Sequence, residues 1–557
     1  MTPTTSSTAQ SNASAREIQT QALIVGGGVG GVAAALALTR RGISCVITEP
    51  TDWLGGQLTN QAVPPDENRW VEDFGVTASY QALRNSVREW YRANRQLTPD
   101  AAANPRLNPG NGWVSHLCAE PTVWHEVIRA WLAPHVASGR VTVLLGHTPI
   151  GAEVSGDRVE SVTFAAEDGT KVVARAPMIL DATELGDLYP LAAIEHAIGA
   201  EHQREYGEMH ARTDRADPLD QQAISWCFAM EHRAGENHVI SRPAKYDFWR
   251  SYVPKMDPPW TGPLFSWRIP SHDAPGWREL GMVPAPDEPK GGAWELWRYR
   301  RIRDAKIHAE PAKFPDVCLV NWVQMDYWLK PLLGVGPAEQ REALAEAREQ
   351  SLCLFYWMQT EAPRHDGGTG YPGLKLAGET LGTADGFAKA AYIREPRRLL
   401  ARTIVTERHI GTEQREAEGL GGDPASVDRP EWGLAEPFAD TVGIGHYRLD
   451  LHPSTAGRNS IYVPAAPFRI PMGSLIPRRV RNVLAAGKGI GVTHITNSCY
   501  RMHHVEWNIG ESAGTLAAFC LARKSEPHAV HEDPALVAEV QRELAASGVR
   551  IAWPWER

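Results

Sequence analysis

The chain of 557 residues is long enough for more than one domain, and its 43% of apolar residues provide ample material for a hydrophobic core. The formal net charge of −9 argues against binding to nucleic acid or to an anionic membrane surface, because both attract basic proteins. The charge therefore favours a small molecule as the partner.

The first 20 residues are rich in Ser, Thr, Gln and Ala and lack the apolar stretch of a secretion signal, so we expect a flexible tail. No later stretch is apolar over the length that spans a bilayer. The seven cysteines are scattered without a C-x-x-C pair, which argues against a disulfide framework and a zinc site. These features predict a cytoplasmic protein that binds no metal.

A strand, a glycine-rich turn and a helix are predicted in succession after the tail. The apolar run Ala22–Val25 is typical of a buried parallel strand. Gly26, Gly28 and Gly31 follow at G-x-G-x-x-G spacing, which permits a tight turn, close approach of the backbone to a pyrophosphate and close packing of the helix. The alanine-rich stretch after them predicts a helix whose N-terminus faces the phosphates.

A second strand ends in a carboxylate that completes this pattern. The strand is predicted at residues 44–48, and Glu49 follows it, 18 residues after Gly31. A carboxylate at this place can accept hydrogen bonds from an adenosine ribose. Because the strands, glycines, helix and carboxylate occur in this order, we predict a dinucleotide site rather than a plain turn.

A glycine pair follows the carboxylate, where a nicotinamide-dependent dehydrogenase would continue with its next helix. Gly55 and Gly56, in "WLGGQ", resemble the flavoproteins with two dinucleotide-binding domains. In that family such a pair lets the backbone pass beside the ribityl chain and pyrophosphate of the flavin. The resemblance implies that Gln57 belongs to the same cofactor-binding stretch.

Three further stretches alternate apolar and polar residues and predict a β-meander; they are Val141–Leu145, Arg158–Ala166 and Lys171–Arg175. The meander leads into a buried strand at residues 178–180 and then into "DATELGD". This order resembles the same flavoprotein family and implies that the turn after the strand contacts the cofactor through Asp181, Ala182 and Thr183. Glu184 replaces a glycine that many relatives have.

The segment "RNVLAAGKGIGVTHITNSCYRMHHVEWNIGESAG" supplies the last part of the resemblance. It predicts a strand, a loop from Gly487 to Gly491, both assigned to the cofactor site, and a helix of about twenty residues beginning near Ser498. In the resemblance the N-terminus of this helix points at the flavin pyrimidine ring, where negative charge collects on reduction.

Residues 392–409, 441–453 and 468–477 add to this likeness. Together the motifs resemble the FAD-dependent oxidoreductases of the glucose-inhibited division protein and fumarate-reductase-like clan. The resemblance implies FAD and an α/β fold: a Rossmann-like FAD-binding domain with a β-meander, plus an inserted α+β substrate or cap domain. The expected division is a tail at 1–20, FAD-binding parts at 21–190 and 471–525, a substrate or cap region at 191–470, and a C-terminal helical extension at 526–557.

Tryptophans are concentrated in the predicted cap region. Ten of the 20 lie between Trp226 and Trp357, where the flavin motifs are absent. Flat aromatic faces suit a ring-containing or sugar-like substrate, but the same residues could instead fill a core that has few regular helices. The sequence leaves both interpretations open.

Flavin-dependent oxidation needs a group that accepts a proton while a hydride leaves the substrate, and histidine is the first candidate. His494 is the preferred one, because its loop passes close to the isoalloxazine in the resemblance. His504 and His452 are the alternatives. Arg501 lies at helical spacing with His504 and is a candidate for a polar pocket, unless that face is solvated.

The reaction that we expect is removal of a hydride from an alcohol or amine of a small, ring-containing or sugar-like metabolite. One alternative is reduction of an activated alkene, in which Arg397, Arg398 and Arg501 would clamp carboxylates. Another is a non-redox protein that uses FAD as structure. The sequence does not indicate the substrate, the electron acceptor, covalent flavin attachment or whether the chain forms a homo-oligomer.

Overall fold

A computed structural model describes residues 16–260, 262–270, 277–284, 294–420 and 435–556. Within these ranges, no helix combines the length and the apolar character needed to cross a bilayer. All seven cysteines are buried and have free thiols.

A five-stranded parallel sheet lies at the centre of the nucleotide-binding part. Its apolar strands pair in register without a polar face, as a sheet covered on both sides requires. Across the sheet the strands are Val483–Ala485, Met178–Asp181, Ala22–Val25, Cys45–Glu49 and Val141–Leu145. This order confirms the Rossmann-like prediction. Val141–Leu145 was assigned to the meander, and that is wrong, because it pairs in parallel with Cys45–Glu49.

The meander begins one strand later than predicted. It consists of three antiparallel strands, His147–Ser155, Arg158–Ala166 and Lys171–Arg175. Arg16–Gln19 adds a fourth strand, parallel to the last of these. The prediction of a tail at 1–20 is therefore wrong for Arg16–Gln19, while residues 1–15 lie outside the described residues.

Two helices pack tightly against each other beside the parallel sheet. Val29–Arg40 begins directly after the glycine turn, and His503–Arg523 follows the last strand of the sheet. A Cβ on Gly510 would lie 2.0 Å from the carbonyl oxygen of Gly30. Glycine at this contact lets the two backbones approach, which holds the glycine turn against the C-terminal segment.

The inserted region is built on a four-stranded antiparallel sheet and one long helix, Pro337–Thr360. The strands are, in order, Arg301–Arg303, Val317–Val320, Phe228–His232 and Leu374–Leu376. Most of the described tryptophans of the region fill the core between these elements: Trp249, Trp260, Trp267, Trp297, Trp328 and Trp357. The core interpretation of the tryptophan cluster therefore holds for most of its members.

The other α-helices of the described residues are Ala78–Asn94, Pro99–Ala103, Pro121–Ala137, Leu188–Leu191, Gln203–Tyr206, Tyr246–Ser251, Leu296–Tyr299, Glu407–Ile410, Thr412–Ala417, His494–Tyr500, Pro527–Glu532 and Pro534–Ala546. Short strands complete the fold: His196–Ala197, Ile224–Ser225, Arg268–Pro270, Trp277–Gly281, Trp294–Glu295, Asp326–Tyr327, Arg398–Leu399, Thr441–Gly445, Leu449–Leu451, Ile461–Val463 and Phe468–Pro471. One of these, Leu449–Leu451, carries residues of the candidate site.

Candidate functional site

The glycine turn has the geometry that a dinucleotide site needs. Gly26 has a φ of +99°, in the left-handed region, and a Cβ there would lie 2.4 Å from the carbonyl oxygen of Ala182. A Cβ on Gly31 would lie 2.3 Å from the carbonyl oxygen of Gly26. These two glycines let the first helix and the turn after Asp181 close on each other. Gly28 precedes the first residue of the helix and stands at its N-terminus.

Gly28 and Gly56 face each other across a narrow strip, in which the carboxylate of Glu184 lies. A Cβ on Gly28 would lie 2.8 Å from the carboxylate oxygen Oε1 of Glu184, and a Cβ on Gly56 would lie 2.6 Å from the same atom. That oxygen is buried and has no hydrogen-bond partner among the described residues, and neither has Oε1 of Gln57. Gly55 joins the strip to the turn, since its N–H donates to the carbonyl oxygen of Gly27 at 2.8 Å.

The charges beside the strip are partly balanced. The buried ammonium group of Lys488 contacts the carboxylate of Glu184. Burial, with Glu184 nearby, raises the pKa of Glu506 to about 7 although Lys488 opposes the shift. A raised pKa favours the neutral carboxyl of Glu506, which repels a pyrophosphate less than the carboxylate does. The residues present fit the phosphate part of FAD.

Glu49 lies at the end of its strand, as predicted, but its oxygens already have partners. Oε2 accepts from the N–H of Gly27 at 3.2 Å, and Oε1 accepts from the N–H of Thr51 at 3.0 Å and from Asn60 at 3.1 Å. Burial raises its pKa to about 7. The carboxylate thus positions the glycine turn, and its contact with a ribose stays a prediction.

The turn after the strand Met178–Asp181 is held by hydrogen bonds that its own side chains make. Asp181 accepts hydrogen bonds from the N–H of Thr183 at 2.8 Å and from its hydroxyl at 2.7 Å. The second oxygen of Asp181 has no hydrogen-bond partner in the part of the chain that the structure describes, and burial raises the pKa of this carboxyl to about 7. Gly487 faces Ala182 across the strip, with a Cβ position 3.4 Å from its Cα.

Gly491, unlike the glycines at the strip, lies in a packing contact with the backbone of Thr403. A Cβ on it would lie 2.3 Å from the carbonyl oxygen of Thr403, which is backbone. This position explains why glycine is needed there without any contact to a cofactor.

The helix predicted from Ser498 is wrong in its start and its continuity. A first helix, His494–Tyr500, begins earlier, and Thr493 caps it by accepting from the N–H of Thr496 at 3.2 Å. A second helix, His503–Arg523, follows after a break. Arg501 and His504 are both buried, so the polar face predicted at these positions is not solvated.

Arg501 lies between the helices His494–Tyr500 and His503–Arg523, and it connects the strip between Gly28 and Gly56 to a cavity. Its carbonyl oxygen accepts from the side-chain amide of Gln57 at 3.0 Å. Its guanidinium group donates to the hydroxyl of Tyr392 at 2.6 Å and to the carbonyl oxygen of Asp450 at 3.0 Å. The side chain is buried and lines the cavity.

The cavity has a volume of about 340 Å³, which suits a small molecule. It lies between the inserted region and the segment around Leu449–Leu451. Its polar and aromatic lining includes Asp66, Tyr299, Arg300, Asn321, Trp322, Tyr392, Arg394, Tyr447, Asp450, His452, Tyr462 and Arg501. His503 holds one wall in place, because its Nδ1 accepts from the N–H of Asp66 at 3.1 Å.

His452 lines this cavity, and no described residue is hydrogen-bonded to its Nε2. Its Nδ1–H donates to Asp326 at 2.6 Å, and the other oxygen of Asp326 accepts from Arg394 at 2.9 Å. Burial acts to raise the pKa of Asp326, but Arg394 and His452 outweigh it and hold the pKa below its usual value. The ionised carboxylate therefore fixes the tautomer of His452 that leaves the lone pair on Nε2.

His494 has no such lone pair. Its Nδ1–H donates to Glu395 at 2.9 Å, and its Nε2 accepts from Arg458 at 2.6 Å. It does not line the cavity. His504 lies outside the lining as well, and burial lowers its pKa to about 3, which keeps it neutral. Of the four predicted catalytic residues, the structure brings together His452 and Arg501.

The parallel sheet, the glycine turn at a helix N-terminus and the adjoining cavity define a dinucleotide-dependent enzyme. The chain belongs to the FAD dependent oxidoreductase family, whose model matches residues 21–544. FAD is thus its cofactor, and the protein is an FAD-dependent oxidoreductase, as the sequence predicted.

Two curated relatives share a part of the chain. An FAD-dependent monooxygenase from Nectria sp is 26% identical over 175 residues, which are 29% of this chain and 39% of the relative. An FAD-dependent monooxygenase from Arthrinium sp is 34% identical over 164 residues, 28% of this chain and 37% of the relative. The chain thus spans less than two fifths of the length of these relatives.

The similarity to solved structures is weak. A geranylgeranyl bacteriochlorophyll reductase-like protein from Thermoplasma acidophilum is 9% identical with a TM-score of 0.30, covering 96% of this chain and 85% of that chain. The flavin-dependent monooxygenase PieE, solved with FAD and substrate, is 15% identical with a TM-score of 0.23, covering 39% and 36%.

Several cavity residues have no local sequence signal. Asp66 and Arg300, which line the cavity, and Asp326, which holds His452, lie far apart in the chain and in segments without a recognised motif. The one available signal was the position of Arg394 within residues 392–409, a segment that already resembled the family.

Proposed function

We propose that the protein oxidises a small organic substrate by removing a hydride from an alcohol or amine carbon in the cavity, with His452 as the proton acceptor. The observation that carries this proposal is the free Nε2 of His452, held by the Asp326 carboxylate at 2.6 Å from Nδ1. When bound, FAD supplies the hydride acceptor. The O–H or N–H proton of the substrate passes to Nε2 as the C–H bond breaks.

Neighbouring groups support this role of His452. Asp326 stabilises the imidazolium that forms, because it is a buried carboxylate already held in its charged form by Arg394. Asp450 lies 3.7 Å from Nε2 and adds to this stabilisation. Arg501 orients the substrate from the side nearest the dinucleotide strip.

The test is reduction of the bound FAD by a panel of alcohols and amines with oxygen excluded, followed as loss of the visible absorption band in single turnovers. His452→Ala should slow reduction about 10²- to 10⁴-fold and keep its FAD. His531→Ala is the matched control, since His531 also pairs with an aspartate, Asp440 at 3.0 Å, and lies outside the cavity lining. A parental rate for His452→Ala contradicts the assignment, and a loss seen only with His494→Ala moves the role to His494.

Insertion of an oxygen atom is a second candidate, favoured by the two relatives described as FAD-dependent monooxygenases. The two reactions differ in the fate of molecular oxygen. Turnover under isotopically labelled oxygen gas puts the label in the organic product of a monooxygenase, whereas hydride removal leaves that product unlabelled.

Two of the arginines on which the alkene-reduction alternative depended are paired with carboxylates outside the cavity. Arg397 donates to Asp187 at 3.2 Å, and Arg398 pairs with Glu201 at 2.7 Å; neither lines the cavity. Reoxidation of reduced FAD by an activated alkene would favour this alternative. Absence of any flavin reduction or reoxidation would favour a structural role for FAD.

A further inference from the structure

Arginine dominates the charged lining of the cavity. Among the described residues, five arginines line it, against the aspartates Asp66 and Asp450: Arg278, Arg300, Arg394, Arg448 and Arg501. This positive surplus lies in a protein whose net charge is −9. The surplus is therefore a local property of the cavity and attracts anionic ligands.

The cavity stays positive at neutral pH. Burial acts to lower the pKa of Arg300 and of Arg501, but neighbouring acidic and phenolic groups raise both above their usual value. Burial raises the pKa of Tyr462 to about 12, and that of Tyr447 still further. The phenols are therefore neutral, and the arginines set the charge.

Two of the guanidinium groups are fixed before a ligand arrives. Arg394 donates to the carbonyl oxygen of Ala223 at 2.8 Å, to the hydroxyl of Ser225 at 3.0 Å and to Asp326 at 2.9 Å. Because Asp326 also holds His452, a positive group and the proposed proton acceptor are placed side by side. Arg501 is fixed by Tyr392 in the same way.

Several lining side chains have hydrogen-bond donors without acceptors. These buried atoms have no hydrogen-bond partner in the described structure: Nε of Arg300, Arg394 and Arg501, Nδ2 of Asn321 and Nε1 of Trp322. These atoms are covered by the protein, so they favour an anion in the cavity through electrostatics rather than through direct contact. The aromatic lining offers flat apolar faces: Tyr299, Trp322, Tyr392, Tyr447 and Tyr462.

We propose that the ligand of this cavity is an organic carboxylate with a ring, whose carboxylate pairs with the arginines and whose ring packs on the aromatic wall. The inference rests on the proposed function in taking this cavity as the substrate site. The substrate is then an alcohol or amine that also carries a carboxylate, with the reacting carbon near His452.

The test measures binding without turnover. Benzoate and benzamide have the same ring and nearly the same shape, and only benzoate is charged. Calorimetric titration of the FAD-loaded protein near neutral pH should give an affinity for benzoate at least about tenfold higher than for benzamide, because charge-assisted hydrogen bonds are the stronger ones. Equal affinities, or binding of neither compound, would overturn the proposal.

Variants locate the binding in the cavity. Arg448 is exposed, with its guanidinium 4.8 Å above the ring of Tyr462, so Arg448→Gln should fold normally and weaken benzoate about two- to fivefold without affecting benzamide. Arg129→Gln, which changes an exposed arginine outside the cavity lining, is its control.

A second pair of variants tests the aromatic wall. Trp322→Phe should weaken benzoate binding about threefold. Trp249→Phe, which also has an unpartnered indole N–H but lies outside the lining, should not.

The outcomes separate this inference from the proposed function. A preference for benzoate that is reduced in Arg448→Gln supports the inference even if no alcohol or amine reduces the FAD. Rapid reduction by neutral alcohols, without any preference for benzoate over benzamide, supports hydride removal and overturns the carboxylate inference.

Discussion

Replacement of Glu208 by glutamine should change how the stability of the protein depends on pH. Glu208 is 1% exposed. One oxygen accepts from the hydroxyl of Thr493, the cap of the helix that leads to Arg501, at 2.6 Å, and from the N–H of Glu407 at 2.8 Å. The other oxygen has no partner among the described residues. Burial, followed by repulsion from Glu201, raises the pKa of Glu208 to about 8.

The sign and size of the effect follow from this shift. The pKa of the folded state, about 8, is above the ordinary value of 4.5. The contribution of Glu208 to stability is therefore fully present below pH 4.5 and is lost as the pH rises through 8. Each pH unit between these values lowers the free energy of unfolding by about 1.4 kcal/mol. From pH 5 to pH 7 the parent should lose about 3 kcal/mol relative to Glu208→Gln, which has no such titration.

Urea unfolding of the FAD-loaded parent and of Glu208→Gln at several values between pH 5 and pH 8 measures this difference. Glutamine keeps one acceptor oxygen for Thr493 and Glu407, so the variant should fold and retain FAD. The exposed Glu160→Gln serves as the control and should follow the parent at every pH. A constant difference between the parent and Glu208→Gln across the range would refute the reasoning.

Two further predictions concern the cofactor. Gly28→Val should lose its FAD, because the added side chain would start 2.8 Å from Glu184 and fill the strip between the glycines; visible absorbance after gel filtration measures this, and Gly151→Val, with nothing within 4 Å, is the control. Equal flavin content in the two variants would contradict the assignment of the strip. Glu49→Ala should weaken FAD binding by about 1–3 kcal/mol, measured as a dissociation constant; an unchanged constant would mean that the ribose is held elsewhere.

Local signals were sufficient for the nucleotide-binding part of the fold. The glycine turn and its flanking strand and helix are consecutive in the chain, so each can be recognised from propensity and spacing. The same reasoning failed at Val141–Leu145, because a strand at the edge of a parallel sheet also alternates and resembles a strand of the meander. It also placed the last helix too late, since the break at Arg501 separates two stretches that are each helical.

The candidate catalytic site depended on contacts that no local pattern encodes. The cavity is lined by residues from segments as distant as Asp66, Asn321 and Arg501, and the parts of the chain between them bring these together only on folding. By sequence His452 and His494 were both plausible bases. The structure distinguishes them physically, because Arg458 occupies the lone pair of His494, whereas Asp326 leaves Nε2 of His452 free. Motif spacing predicted a dinucleotide site, and the resemblance of several motifs to a known family implied FAD. Only tertiary structure decided which histidine has a nitrogen available for a proton, because that depends on contacts between distant segments.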